Sequence, residues 1–231
     1  MARKEGFESL PQMIEELFSR GQTRLAIHVV TALLERATSF FDDRAGYEAL
    51  GDVLLPSLHP IYRGGTLRVL SFGCASGQEI YSAAILADKL SGVLPDMDVT
   101  FTGVDYPSEA LERAKAGRFT HFEVQRGLPI RHLIEYFDRD GEDWVVKPSL
   151  RKKVSFQECN LLSDIKAIEP HEIVMFRGHL STYTQAAKTR IMRGLGRIVS
   201  PGGHLLLGTR EALVGTSFWF DAHEKVSGCY T

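Results

Sequence analysis

The strongest constraint on the fold is one contiguous run near the middle of the chain. Residues 67–72 read LRVLSF, a short and mostly apolar strand. Gly73-Cys74-Ala75-Ser76-Gly77 follows as a glycine-bounded loop. Residues 79–90 then place Ile80, Ala83, Ala84, Ala87 and Leu90 on one side of a helix. Residues 99–104 form a second strand, closed by Asp105. A strand, a tight glycine loop, a helix and a parallel strand make a βαβ unit, and such units build sheets covered on both faces.

The same pattern recurs downstream. Residues 108–115 read as a helix with Ser108 as its N-cap, residues 153–156 and 172–176 as strands, and residues 186–198 as a helix. Pro201-Gly202-Gly203 reads as a sharp turn before a buried strand over residues 204–208. Strands alternating with helices predict an α/β protein with a doubly wound, mostly parallel sheet. Ligands of such sheets bind at the carboxyl ends of the strands. Ahead of the sheet, residues 10–34 carry helical periodicity interrupted at Gly21. Residues 1–60 are therefore expected to form a short N-terminal helical lid, and residues 61–231 the main domain. The less regular stretch around residues 120–156, with a turn at Asp138-Arg139-Asp140-Gly141 before Trp144, is expected to be a small inserted subdomain.

The loop discriminates between ligands. A bound dinucleotide calls for G-x-G-x-x-G, so that pyrophosphate can sit on a helix N-terminus. Here the spacing is G-x-x-x-G from Gly73 to Gly77, followed by Gln78 and Glu79. An acid at the helix start repels pyrophosphate and suits the cationic amino-acid end of a sulfonium cofactor. A phosphate-binding P-loop is excluded, because no G-K-[ST] follows. Asp105, closing the next strand, is placed to accept hydrogen bonds from a ribose.

Composition excludes several classes. The formal net charge is −2, which gives no global attraction to nucleic acid, and Arg151-Lys152-Lys153 reads as a solvated face. No apolar run approaches the ~18 residues of a membrane span, and the opening MARKEGFESLPQM lacks the apolar block of a signal peptide, so no membrane insertion is expected. Cys74, Cys159 and Cys229 are far apart and form no CxxC pair, the pattern of reduced thiols in a cytoplasmic protein. Of the eight histidines, no pair has metal-ligand spacing, and no metal site is expected. No G-x-S-x-G nucleophile elbow occurs.

Residues 71–82, SFGCASGQEIYS, resemble the nucleotide-binding motif of the chemotaxis receptor methyltransferases (CheR-type), A-G-C-S-T-G-E-E-P-Y-S. The resemblance continues through Gly103-Val104-Asp105 and residues 110–119 (D-I-S-x-x-A-L-x-x-A-R-x-G-x-Y). It extends to Tyr136-Phe137, residues 146–151 (V-K-P-x-L-R), Asn160-Leu161-Leu162 and residues 201–208 (P-G-G-Y-L-L-L-G). Thr38-Ser39-Phe40-Phe41 matches the T-S-F-F ahead of the sheet. The resemblance implies a class I, Rossmann-like S-adenosylmethionine-dependent methyltransferase that esterifies glutamates on the cytoplasmic domain of a chemoreceptor, leaving S-adenosylhomocysteine. It implies cofactor contacts from Thr38, Gly73, Ser76, Gly77, Glu79 (methionine end), Asp105 (ribose), Asn160 and Leu161 (adenine) and Arg177. Thr182 falls at the family's catalytic tyrosine, and Tyr183, its neighbour, is the candidate to take that place after a one-residue shift. The short hairpin over residues 138–146, with only Gly141, implies that no receptor tail peptide is tethered.

Departures gather around the acceptor. The arginine of the family's T-S-F-F-R is Asp42 here, and residues 176–183, FRGHLSTY, stand against F-C-R-N-V-L-I-Y-F. Gly178 replaces the asparagine, Thr182 the tyrosine, and Arg36 an asparagine ahead of T-S-F-F. A glutamate acceptor is already ionised at neutral pH, with a reference pKa of about 4.3, so it needs positioning rather than a base. An aspartate 4 Å from it opposes that by roughly 4 kcal/mol at an effective dielectric near 20, about a thousandfold in rate. Arg44 or Arg36 is a candidate to restore the charge. Three readings stay open: an active glutamate methyltransferase, a catalytically impaired relative that binds the cofactor in a regulatory role, and a methyltransferase with a basic acceptor drawn by Asp42.

Overall fold

A computed structural model describes residues 2–20, 24–33, 38–162, 165–213 and 219–231. Gly21, Leu34 and Arg36, named above, lie outside the described residues. The chain divides into two compact units, Met1–Ala37 and Thr38–Thr231. The first holds α1 (Leu10–Arg20) and α2 (Arg24–Leu33).

The second unit opens with α3 (Arg44–Glu48), a π-helical stretch (Ala49–Leu54) and α4 (Leu55–Tyr62). Residues 38–60, grouped by sequence with the N-terminal helices, pack here instead: Phe40, Tyr47, Leu50, Leu54, Leu55 and Leu58 join the main core. Then come β1 (Thr66–Phe72), α5 (Gln78–Leu90), β2 (Asp98–Asp105) and α6 (Glu109–Ala116). The expected boundaries hold within one or two residues. Ser108 caps α6 by accepting from the Leu111 amide at 3.2 Å, and Gly117, at φ 65°, ends it in the left-handed conformation.

The inserted region contains β3 (Arg118–Thr120), α7 (His121–Gln125), α8 (Ile130–Tyr136), β4 (Phe137–Asp140), β5 (Asp143–Val146) and α9 (Pro148–Arg151). Its strands form a separate antiparallel sheet in the order β3-β5-β4. Phe119 fixes it to the rest. Its ring meets Phe40 at 5.0 Å, Tyr81 at 5.9 Å and Phe137 at 6.0 Å, in edge-on geometry.

The chain then adds β6 (Val154–Glu158), β7 (His171–Phe176), α10 (Gln185–Ile198), β8 (Val199–Leu207) and β9 (Cys229–Tyr230). The main sheet has the order β6-β2-β1-β7-β8-β9, with every pairing parallel except β8 with β9. This is the doubly wound, Rossmann-like sheet expected from the sequence. Successive side chains of a strand face opposite sides. Leu67, Val69, Ile173 and Met175 therefore pack under α5 and the α3–α4 segment, while Leu70, Phe72, Val174 and Phe176 pack under α10. One detail differs from the sequence reading. β8 runs through Pro201-Gly202-Gly203: His171 pairs with Val199 and Ile173 with His204, so residues 200–203 form a bulge inside the strand. Gly202 at φ 75° makes the bulge possible, and a Cβ on Gly203 would lie 2.7 Å from the Glu172 carbonyl.

Strand order reverses between β1 and β7, so their carboxyl ends diverge and open a crevice there. The loops leaving those two strands, and the one leaving β8, build the candidate site.

Candidate functional site

The loop after β1 is held from below. The amides of Gly73 and Cys74 donate to the Val104 carbonyl at 2.8 and 3.3 Å, and the Gly77 amide donates to the Cys74 carbonyl at 2.8 Å. Asp105 accepts from the Ala75 amide and from its own neighbour Tyr106, both at 2.6 Å. Each of its oxygens keeps a further lone pair for a hydroxyl. Ser76 is buried, and its hydroxyl donates to the Gln78 side chain at 2.8 Å. Gly77, at φ 93°, starts α5. Gly73 has φ 70°, and a Cβ there would collide with the His179 imidazole. The ring of His179 thus lies directly over the loop, packed on Phe176 at 5.8 Å.

Arg177, the first residue beyond β7, is the central charge. Its side chain is 5% exposed. One terminal nitrogen, Nη2, donates to the carbonyls of Asp42 at 2.7 Å and Asp43 at 3.1 Å, and lies 3.2 Å from the Asp43 carboxylate. The other, Nη1, is 3.6 Å from the Glu79 carboxylate. The guanidinium lies over the Tyr47 ring at 4.8 Å, and Gly46 makes room for it, since a Cβ there would approach within 3.0 Å. Burial lowers the pKa of this arginine, but the neighbouring charges, Glu79 first and Asp43 with it, outweigh that and hold it above the ordinary value. Even so, Nε and Nη1 have no hydrogen-bond partner although both are buried.

Glu79 sits in the first turn of α5, where an acid complements the helix dipole. One oxygen accepts from the buried Ser71 hydroxyl at 2.8 Å and the other faces Arg177. Asp43 also accepts from the Thr209 amide at 2.9 Å. Burial raises its pKa, but Thr209 and Arg177 together pull it below the ordinary value. Glu211 is the fastener of the opposite wall. It accepts from the amides of Gly178 at 2.7 Å, Leu180 at 2.6 Å and Gly208 at 3.0 Å.

These groups enclose a cavity of 260 Å³ lined by residues 42–43, Glu79, Arg177-Gly178 and residues 208–211. A wider cleft of 560 Å³ at the amino ends of β1 and β2 has only Asp96 and Asp98 as ionisable groups. Among the described residues no group of histidines, cysteines and acids is arranged to hold a metal.

The other sequence candidates lie around this centre. Thr38 is half-buried, two residues ahead of the core residue Phe40. The Asn160 side chain accepts from the Leu162 amide at 3.0 Å, shaping the turn after β6, and Leu161 and Tyr183 both pack against the core on the α10 side. Tyr183 stacks on Phe176 at 6.5 Å, and its phenol pKa is raised by burial and by the charge of Asp105. Neither it nor Thr182 lines the cavity. Thr182 donates to the His179 carbonyl at 2.7 Å, which shapes the loop. Asp42 is exposed at the cavity wall. Arg44 pairs with Glu48 at 2.7 Å and is 90% exposed, so it does not restore a cation beside Asp42.

Sequence reasoning missed Asp43, His179, Arg210 and Glu211. Asp43 follows the T-S-F-F stretch and Glu211 the P-G-G-rich strand, so both are near quoted motifs, but Thr209 lies 166 residues from Asp43, and Gly178 and Leu180 lie 33 and 31 residues from Glu211.

The residues present suit S-adenosylmethionine. Arg177 lines the cavity and carries two buried donors without a hydrogen-bond partner, Glu79 offers an acceptor for an ammonium, and Asp105 offers one for a ribose hydroxyl.

Residues 36–228 match the family described as CheR methyltransferase, SAM binding domain. The chain is 30% identical over 220 residues to "Chemotaxis protein methyltransferase Cher2" of Pseudomonas putida, covering 93% of this chain and 80% of that one. It is 32% identical over 219 residues to "Chemotaxis protein methyltransferase 1" of Pseudomonas aeruginosa, covering 92% and 79%. Among solved structures, PKMT2 from Rickettsia typhi in complex with AdoHcy is similar with a TM-score of 0.43 and 14% identity, covering 74% of this chain and 26% of that one.

Proposed function

The chain belongs to the CheR methyltransferase family, and from that premise we propose that this S-adenosylmethionine-dependent methyltransferase esterifies glutamate side chains on the cytoplasmic domain of a chemoreceptor. When bound, S-adenosylmethionine supplies a methyl group activated by its sulfonium. The protein's own task is to seat the donor, bring a carboxylate in line and keep water away.

The observation that carries the reading is the pair of unsatisfied buried donors on Arg177, next to Glu79. A buried donor without an acceptor costs about 1–3 kcal/mol, and the carboxylate of the cofactor's methionine end would satisfy it. Glu79 would take the ammonium. The missing side chain at Gly73 makes room for the His179 imidazole, which walls this space. Asp105 would receive a ribose hydroxyl, while Leu161, Asn160 and the stacked Tyr183 would enclose the adenine side. The match to relatives named as chemotaxis methyltransferases supports the catalytic reading over a purely regulatory one. A receptor's cytoplasmic domain as acceptor also puts the protein in the cytoplasm. Among the described residues no helix is long and apolar enough to cross a membrane.

Tethering to a receptor tail is not part of the proposal. The β4–β5 hairpin turns within two residues, with Gly141 at φ 64°, and presents no loop to grip a peptide.

Two measurements test the reading. Titration calorimetry should record binding of S-adenosylmethionine and S-adenosylhomocysteine. Incubation of a receptor cytoplasmic domain with radiolabelled S-adenosylmethionine should yield label that base releases as methanol. Absence of either signal removes the proposal.

A further inference from the structure

We propose that Arg210 receives the acceptor carboxylate, which makes it a specificity-determining residue of the methyl transfer; the assignment rests on the glutamate reading above. The cavity wall carries four carboxylates and two guanidiniums. Three of the acids are engaged. Asp43 accepts from Thr209 and pairs with Arg177, Glu79 accepts from Ser71 and pairs with Arg177, and Glu211 accepts three backbone amides. Arg177 is buried and committed to Asp43 and Glu79. Asp42 is left exposed at the wall, its side chain accepting only from the Asp43 amide at 3.0 Å. An anionic acceptor entering this cavity meets the repulsion of Asp42, and Arg210 is the cation available to offset it. Arg210 is exposed and has no ion pair among the described residues.

The backbone around Arg210 is fixed. The Thr209 amide is tied to Asp43 at 2.9 Å, the Gly208 amide to Glu211 at 3.0 Å, and the Glu211 amide returns to the Gly208 carbonyl at 2.8 Å. A guanidinium carried on a pinned turn loses little backbone freedom when it binds. Its planar fork matches a carboxylate with two parallel hydrogen bonds, which a lysine cannot reproduce. Placed this way, Arg210 recognises an acidic acceptor and excludes a basic one, which decides against an acceptor drawn by Asp42.

Initial-rate kinetics on a receptor cytoplasmic domain, with wild type and the variants Arg210→Gln, Arg210→Lys and Asp42→Asn, test this. Arg210→Gln should raise KM for the acceptor by about tenfold or more, with a smaller change in kcat. Arg210→Lys should fall between, and Asp42→Asn should lower KM. Calorimetric affinity for S-adenosylhomocysteine should stay within about twofold of wild type in Arg210→Gln, since the residue faces the acceptor. An unchanged KM in Arg210→Gln, or a loss that follows weakened S-adenosylhomocysteine binding, overturns the assignment while leaving the glutamate reading intact. A wild type that binds S-adenosylhomocysteine yet forms no base-labile ester overturns both.

Discussion

At Gly73 the backbone and the neighbouring ring together forbid a side chain: φ is 70° and the His179 imidazole fills the place of a Cβ. Gly73→Ala should therefore lose more than about 1 kcal/mol of stability and bind S-adenosylhomocysteine at least tenfold more weakly by calorimetry. Strain of the same kind marks the site elsewhere. Phe41, Asp43 and Ala75 are non-glycine residues at φ 50°, 55° and 45°, a conformation costing roughly 1–2 kcal/mol each. Asp43 is retained in that state by Thr209 and Arg177. Its carboxyl pKa is depressed on folding, so its stabilisation is full above the unfolded value near 3.9 and is lost as pH falls through the folded one. Asp43→Asn keeps an acceptor for Thr209 but removes the charge. It should cost about 1–2 kcal/mol in urea unfolding at pH 7, and the difference from wild type should shrink in acid. Glu79 and Asp105 stood out in the sequence because they lie within a few residues of a local motif. Asp43 and Glu211 did not, because their significance comes from pairings across the fold that no spacing encodes, and Arg210 did not, because only the fold sets it on the cavity wall.

Among the elements, β1, α5, β2 and α6 were legible because local pattern and tertiary demand agree: apolar runs for strands buried on both faces, a serine N-cap, a glycine C-cap. The α3–α4 segment was not. Gly51, Pro56 and Pro60 interrupt its helical pattern, and the π-helical turn over Ala49–Leu54 shifts its apolar face. Packing of Leu50, Leu54, Leu55 and Leu58 into the core overrides those weak local preferences. The inserted helices were also missed, being four to seven residues long, too short for a periodic signal. Their anchor is Phe119, fully buried among Phe40, Tyr81 and Phe137. Phe119→Ala should cost about 3–5 kcal/mol, read as a lower urea midpoint. A change below 1 kcal/mol would mean that the insertion is held chiefly by its other contacts.

For the molecule as a whole, acid sensitivity should begin with histidine rather than carboxylate. His132, His171 and His204 are buried, and burial holds the pKa of each below the ordinary value. Each is neutral when folded and protonates more readily when unfolded, so the unfolded state gains protons first. Stability is then full above the unfolded value near 6.5 and declines as pH falls below it. Urea midpoints at pH 7.5, 6.0 and 5.0 should fall in that order, and His204→Gln should flatten the trend. Glu211 has a mechanical consequence at this scale. The turns after β7 and β8 share one carboxylate as a common pivot, so neither can swing alone. Any widening that releases product must carry both banks of the crevice outward as a single body, and a probe on one bank should report the motion of the other with the same rate constant.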